Sequence, residues 1–185
     1  NQKYFPYGKK QLKSFLEKGI FYYDRFLESF QDSGERWYTL HLKAQLFERL
    51  NLAQEALDCY KESYNLRQDR AESLFRIFNY YYYKQEWESA FKYGLKLKNL
   101  KCPIETDAWQ VELDNYYENN WQIRDCFAVT LERIGSQLKN TTLLEESKSI
   151  FESLKKELKF DKDEVDRLDG NIKYIQGKIN EKKEN

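Results

Sequence analysis

The 185-residue sequence contains no methionine, one histidine, two prolines and seven glycines. Each scarcity excludes something. With so little proline and glycine, helices run uninterrupted and their connections are short. A single histidine, His41, excludes a histidine dyad or a multi-histidine metal site within the chain. The three cysteines, Cys59, Cys102 and Cys126, are odd in number and widely spaced. Neither a disulfide framework nor a zinc site is indicated, and a reducing, cytoplasmic compartment is expected. No run approaches the ~20 apolar residues of a membrane-spanning helix. Neither charge dominates: 31 Lys and Arg face 31 Asp and Glu. That balance argues against a nucleic-acid or membrane-surface protein driven by bulk charge. No signal peptide is visible, and a chain that starts at Asn1 without any methionine reads as a segment of a longer polypeptide.

What is present is aromatic and periodic. Tyrosine and phenylalanine number 15 and 12. Two copies of one pattern lie 34 residues apart: Leu40 matches Leu74, Phe47 matches Tyr81, Ala56 matches Ala90 and Leu57 matches Phe91. Such a period signals stacked helical pairs that share a core because one pair cannot bury its apolar face alone. The first helix of each pair carries Leu40, Phe47 and Leu50, then Leu74, Ile77 and Tyr81, with Phe47 and Tyr81 expected to be buried. The second helix carries a small residue, Ala56 or Ala90, where the two helices cross closely. The pairs are predicted over 35–50 with 53–66, and over 71–84 with 87–98.

On these residues the sequence resembles the tetratricopeptide-repeat family. The resemblance implies an all-α, right-handed α-solenoid of antiparallel helix pairs with extra C-terminal helices as a cap. The usual glycine before the second helix is absent, and Gln68 stands where proline commonly ends a repeat. A closer likeness runs over roughly 19–100, through Glu35-Arg36-Trp37-Tyr38, Tyr64-Asn65-Leu66-Arg67, Arg70-Ala71-Glu72 and Leu74-Phe75-Arg76. It is similar to the helical repeats appended to family-two-type glycosyltransferases of bacteria and large DNA viruses. No Asp-x-Asp metal motif or nucleotide-sugar domain is present, so the likeness concerns the appendage and not the transferase.

Four regions are expected. Residues 1–34 form a degenerate first repeat, in which a basic half-helix precedes a second helix starting near Gly19, which falls where Ala56 and Ala90 fall. The two clear repeats occupy 35–102, with Cys102-Pro103 ending the second. Divergent helices and a cap fill 103–180, and 181–185 fray. Within the third region Thr106 or Asp107 caps a helix through Trp109, Leu113 and Tyr116. Ile123, Phe127, Leu131 and Ile134 mark another, ending at Gly135. Leu143, Leu144, Ile150, Phe151, Leu154 and Leu158 mark the next, and Val165, Leu168, Ile172, Ile175 and Ile179 the last.

Most polar clusters read as solvated surface. Asp107, Glu112, Asp114, Glu118 and Asp125 lack the rigid polar pocket that acid–base work needs. Asp161, Asp163 and Glu164 suit a helix N-terminus, where negative charge meets the positive end of the dipole. Asn140-Thr141-Thr142 fits a glycosylation acceptor, which the cysteine usage does not support. The run Tyr80 to Tyr83 differs: residues advance about 100° each along a helix, so four tyrosines cannot all face a core. By repeat register the concave wall of the solenoid is lined by Tyr38, His41, Gln45, Glu48 and Arg49 from the first repeat. Phe75, Asn79, Tyr82 and Tyr83 line it from the second. The expected function is non-catalytic binding of a protein or peptide in that aromatic groove, with no cofactor and no metal. The alternative is an accessory domain of a glycosyltransferase contacting the glycan acceptor or the catalytic domain.

Overall fold

A computed structural model describes residues 9–31, 34–100 and 117–181. Those residues form eight helices and, among them, no strand. They are α1 Lys9–Ser29, α2 Arg36–Arg49, α3 Ala53–Leu66, α4 Ala71–Tyr83, α5 Trp87–Lys98, α6 Trp121–Gln137, α7 Thr141–Glu157 and α8 Lys162–Glu181. The chain divides into two compact units inside α4, after Ile77. The helix predicted through Trp109, Leu113 and Tyr116, its cap at Thr106 or Asp107, and the stop at Cys102-Pro103 lie outside the described residues.

In the first unit α1 packs on α2, and α2 on α3. The expected break between a half-helix and a second helix at Gly19 is absent: α1 is one helix of 21 residues. A single glycine costs a helix only about 1 kcal/mol, too little to stop it without a competing cap or proline. Gly19 is nonetheless the small residue that the register requires. A Cβ there would stand 2.7 Å from Leu46 Cδ1. Leu16 and Leu27 of α1 and Leu40 and Ala44 of α2 are buried. Arg36 Nη1 donates to the Leu27 carbonyl at 2.7 Å, and Nη2 meets Glu62 of α3 at 3.2 Å. That guanidinium therefore closes the C-terminal end of α1 onto both neighbours. At the α3–α4 connection Arg67 and Arg70 lie 5.9 and 5.1 Å from the Trp37 ring centre.

The second unit holds the rest of α4 with α5 to α8. α5 packs on α6, α6 on α7 and α7 on α8. Phe127 is the hub of its first half, edge-on to Phe78 and Tyr117 and stacked with Phe91. Gly94 admits that ring: a Cβ there would lie 2.4 Å from Phe127 Cδ2. Leu144, Phe151, Leu154, Leu168, Ile175 and Ile179 make the core of its second half. Three helices start on side-chain caps. Asn120 Oδ1 accepts from Ile123 N–H, Asn140 Oδ1 from Leu143 N–H and Asp161 Oδ1 from Glu164 N–H, each at 3.2 Å. Asn140 is thus a cap in this fold.

The missing turn glycine has a specific replacement. Asn51, Gln85 and Lys139 take left-handed backbone conformations, with φ of 60°, 58° and 51°. Each closes its helix with the same pair of hydrogen bonds. Leu52 N–H reaches Phe47 O and Asn51 N–H reaches Glu48 O, while Glu86 N–H reaches Tyr81 O and Gln85 N–H reaches Tyr82 O. Asn140 N–H reaches Gly135 O and Lys139 N–H reaches Ser136 O. In every case the next helix starts two residues after the left-handed one. So α6 and α7 are a third pair of the same kind, and α6 runs past Gly135 to Gln137 rather than ending there. Aligned on the turn, Leu144 takes the place of Ala56 and Ala90, and Gly135 the place of Phe47 and Tyr81. A Cβ on Gly135 would sit 3.1 Å from Leu144 Cγ. The small residue has moved to the opposite helix of the crossing, which is why the 34-residue pattern fades here.

Candidate functional site

The residues predicted to line the groove separate into three groups. Tyr38 (45% exposed) and Arg49 stand on the outer side of α2, with half-buried Gln45 between them. Their spacing of seven and eleven residues keeps them on one helical face. No ion pair holds Arg49 among the described residues. Glu48 pairs instead with Arg76 of α4 at 3.7 Å. Phe75 of α4 is half-buried in the same unit. In the second unit Asn79 and Tyr82 are half-buried, and Tyr83 is 76% exposed.

His41 corrects the expectation that it lines the wall. It is 6% exposed and turned into the interface between α2, α3 and α4. Its hydrogen bonds fix a single arrangement of protons. The Ser63 hydroxyl donates to the Trp37 carbonyl at 2.7 Å. Ser63 has no second proton, so Ser73 donates to it across 2.8 Å. Ser73 has then spent its proton and accepts from His41 Nδ1–H at 2.9 Å. A neutral imidazole protonated at Nδ1 accepts at Nε2, where Gln45 Nε2 donates at 2.9 Å. Burial, and then the nearby positive charge of Arg76, lowers the His41 pKa from 6.5 to about 4. The histidine is a neutral link in a buried relay. It donates to Ser73 rather than drawing a proton from it, which is the reverse of what activation of a serine nucleophile needs.

Tyr82 and Tyr81 also differ from a simple wall-and-core division. Tyr82 packs edge-on to Trp87 and Tyr83. Its phenol pKa is raised by burial and by the neighbouring Cys126 and Asp125. Cys126 is pushed up to about 11 by burial and by Asp125, so it is not a ready thiolate. Tyr81, expected in the core, is half-buried and stacks on Tyr93 at 5.5 Å, and its register partner Phe47 is half-buried with Lys43 over its ring. Period alone gives the direction of a side chain but not how much of it the neighbouring helices cover.

Of the acidic cluster, Asp107, Glu112 and Asp114 lie outside the described residues. Asp125 is ion-paired with Arg167 of α8 at 2.8 Å. Among the described residues no group of three or more His, Cys, Asp or Glu side chains could hold a metal ion. No described helix is long and apolar enough to cross a membrane.

No protein-family model and no curated protein matches the chain. Among solved structures, the crystal structure of MamA is similar over 96% of each chain, with a TM-score of 0.50 and 14% identity. MamA is a tetratricopeptide-repeat protein. At that identity the likeness speaks to fold alone. Together with the eight helices and the recurring turn, it supports a tetratricopeptide-repeat-like, all-helical fold for this chain.

Proposed function

We propose that the chain is a non-catalytic binding module that takes a protein or peptide partner on the exposed face of α2, through Tyr38, Gln45 and Arg49, with Phe75 of α4 in the same unit. One observation carries this reading. An exposed tyrosine and an arginine without an ionic partner share one helical face, while the opposite face of α2 is packed. Tyrosine and arginine are the side chains that most often anchor interfaces, because they bury large area and keep a polar end. Tyr83 and Asn79 present a comparable, separate surface in the second unit. The right-handed, antiparallel solenoid implied by the repeat belongs to the same proposal.

Panning a peptide library on the full chain tests it. The double variant Tyr38→Ala/Arg49→Glu should leave the melting curve within the ±0.5 kcal/mol usual for surface changes. It should weaken selected peptides by ~2 kcal/mol or more, roughly 30-fold. Peptides that bind the variant as tightly as the wild type would place the site elsewhere.

A second reading keeps the fold and changes the ligand. As an accessory domain of a glycosyltransferase, the chain would offer an exposed ring, Tyr38 in the first unit or Tyr83 in the second, to a glycan acceptor, since aromatic faces stack on sugar rings. A glycan array probed with wild type and with Tyr38→Ala/Tyr83→Ala distinguishes the two: glycan binding lost in the variant favours this one.

A further inference from the structure

A second surface, in the C-terminal unit, is built from cations and tyrosines. Tyr81 at the end of α4 and Tyr93 on α5 stack nearly parallel, 5.5 Å apart with 7° between their planes. Tyr80 stands edge-on to Tyr81. Three exposed lysines surround these rings. Lys92 and Lys96 lie 5.9 and 5.6 Å from the Tyr93 centre, and Lys84 lies 5.9 Å from that of Tyr80. Lys92 and Lys96 are one helical turn apart, on the same side of α5 as Tyr93. Cation–π attraction holds the ammonium groups over the rings instead of letting them disperse.

The repeat itself shows that the scaffold does not require these charges. In the preceding pair the positions of Lys84, Lys92 and Lys96 are Leu50, Asp58 and Glu62. The two acids there have partners within their own unit: Asp58 accepts from Gln54, and Glu62 from Arg36. Lys84 and Lys92 meet no carboxylate among the described residues, and Glu88, one turn before Lys92, makes no ion pair with it. Four other cations of the same unit do pair: Lys98 with Glu146, Arg124 with Glu157, Lys155 with Asp169 and Arg167 with Asp125. At Lys92 the sign is reversed from that of Asp58, and no carboxylate among the described residues compensates it, so this charge points outward.

We propose that this lysine–tyrosine surface docks an acidic segment of a protein partner. Carboxylates of the segment meet Lys84, Lys92 and Lys96, and its intervening side chains lie against the Tyr81–Tyr93 stack. The inference rests on the chain being a protein-binding module, but it uses none of the α2 residues.

The probe is a fluorescein-labelled peptide of ten glutamates, followed by fluorescence anisotropy with the full chain at low and at high salt. Wild type should bind it with an affinity that falls as salt rises. Lys84→Glu/Lys92→Glu/Lys96→Glu should lower the affinity at least ~10-fold, since like charges across an interface repel. Lys84→Gln/Lys92→Gln/Lys96→Gln serves if the reversed charges disturb folding, with thermal melts as the check. Lys10→Glu/Lys13→Glu/Lys18→Glu on α1 should change the affinity less than about twofold, because those lysines lie outside the surface. Equal losses in the two triple variants would show bulk charge at work and overturn the assignment, as would a loss confined to the α1 variant. Tighter binding of a ten-nucleotide oligouridylate by wild type would overturn it in favour of nucleic acid. Tyr38→Ala/Arg49→Glu should leave decaglutamate binding unchanged. If wild type ignores decaglutamate yet binds library peptides through Tyr38, this surface alone fails. If decaglutamate binds and no library peptide depends on Tyr38, the α2 reading fails and this one stands.

Discussion

The buried relay from Gln45 to Trp37 makes folding sensitive to acid in a way that one side chain reports. His41 has a pKa of about 4 in the folded chain against 6.5 for a solvated imidazole. Between those values the unfolded chain takes up a proton that the folded chain refuses. The stabilisation is therefore complete above about pH 6.5 and is lost as the pH falls towards 4, where the folded form at last protonates. At 1.36 kcal/mol per pKa unit the loss amounts to about 3 kcal/mol, a large share of the ~5–15 kcal/mol that holds a domain together. His41→Asn removes the titration and keeps an N–H where Nδ1–H stood. Urea unfolding at pH 7, 5.5 and 4.5 should show wild type losing more stability than this variant by roughly that amount. Carboxylates titrate in both proteins and cancel in the difference. His41 is the single histidine, so its imidazole proton resonance in NMR is unambiguous. A resonance that titrates near 6.5, or parallel stability profiles for the two proteins, would refute both the burial and the assigned tautomer.

Three further outcomes follow from packing and backbone geometry. Ala56→Leu, Ala90→Leu and Gly94→Ala should each destabilise by ~1–3 kcal/mol in thermal melts, because Ala56 and Ala90 are buried and a Cβ on Gly94 would strike the Phe127 ring. Gln85→Gly and Lys139→Gly should stabilise by ~0.5–1 kcal/mol, since the left-handed conformation costs an L-residue more than glycine loses in chain entropy. Asn51→Gly should gain less, because asparagine tolerates that conformation, and chemical denaturation ranks the three. Ser63→Ala should cost about 1–3 kcal/mol by leaving the Ser73 hydroxyl proton without its acceptor and removing a second bond to the Trp37 carbonyl, and it should move the His41 resonance, which a merely local loss would not.

Sequence by itself determined the helices wherever the apolar period was strong. The segments predicted over 53–66 and 87–98 match α3 and α5 residue for residue, and α2 and α4 differ only at their ends. Period and caps suffice there because each helix buries one stripe and stops at a local signal. Sequence also placed Gly19, Ala56 and Ala90 as small residues, since a close crossing leaves room for little else.

Tertiary structure decided what period could not carry. It let α1 run through Gly19, because no local signal competed with its packing on α2. It moved the small residue of the third pair from α7 to Gly135 of α6, an exchange that leaves the crossing tight but erases the pattern. It took His41 out of the wall, because a polar side chain on the edge of a helical face goes inward when Ser73 and Gln45 satisfy both of its nitrogens. It gathered Lys84, Lys92 and Lys96 around stacked tyrosines from two helices. Such a surface depends on which rings cover one another across a helix crossing, and that is a property of the packed pair rather than of either segment.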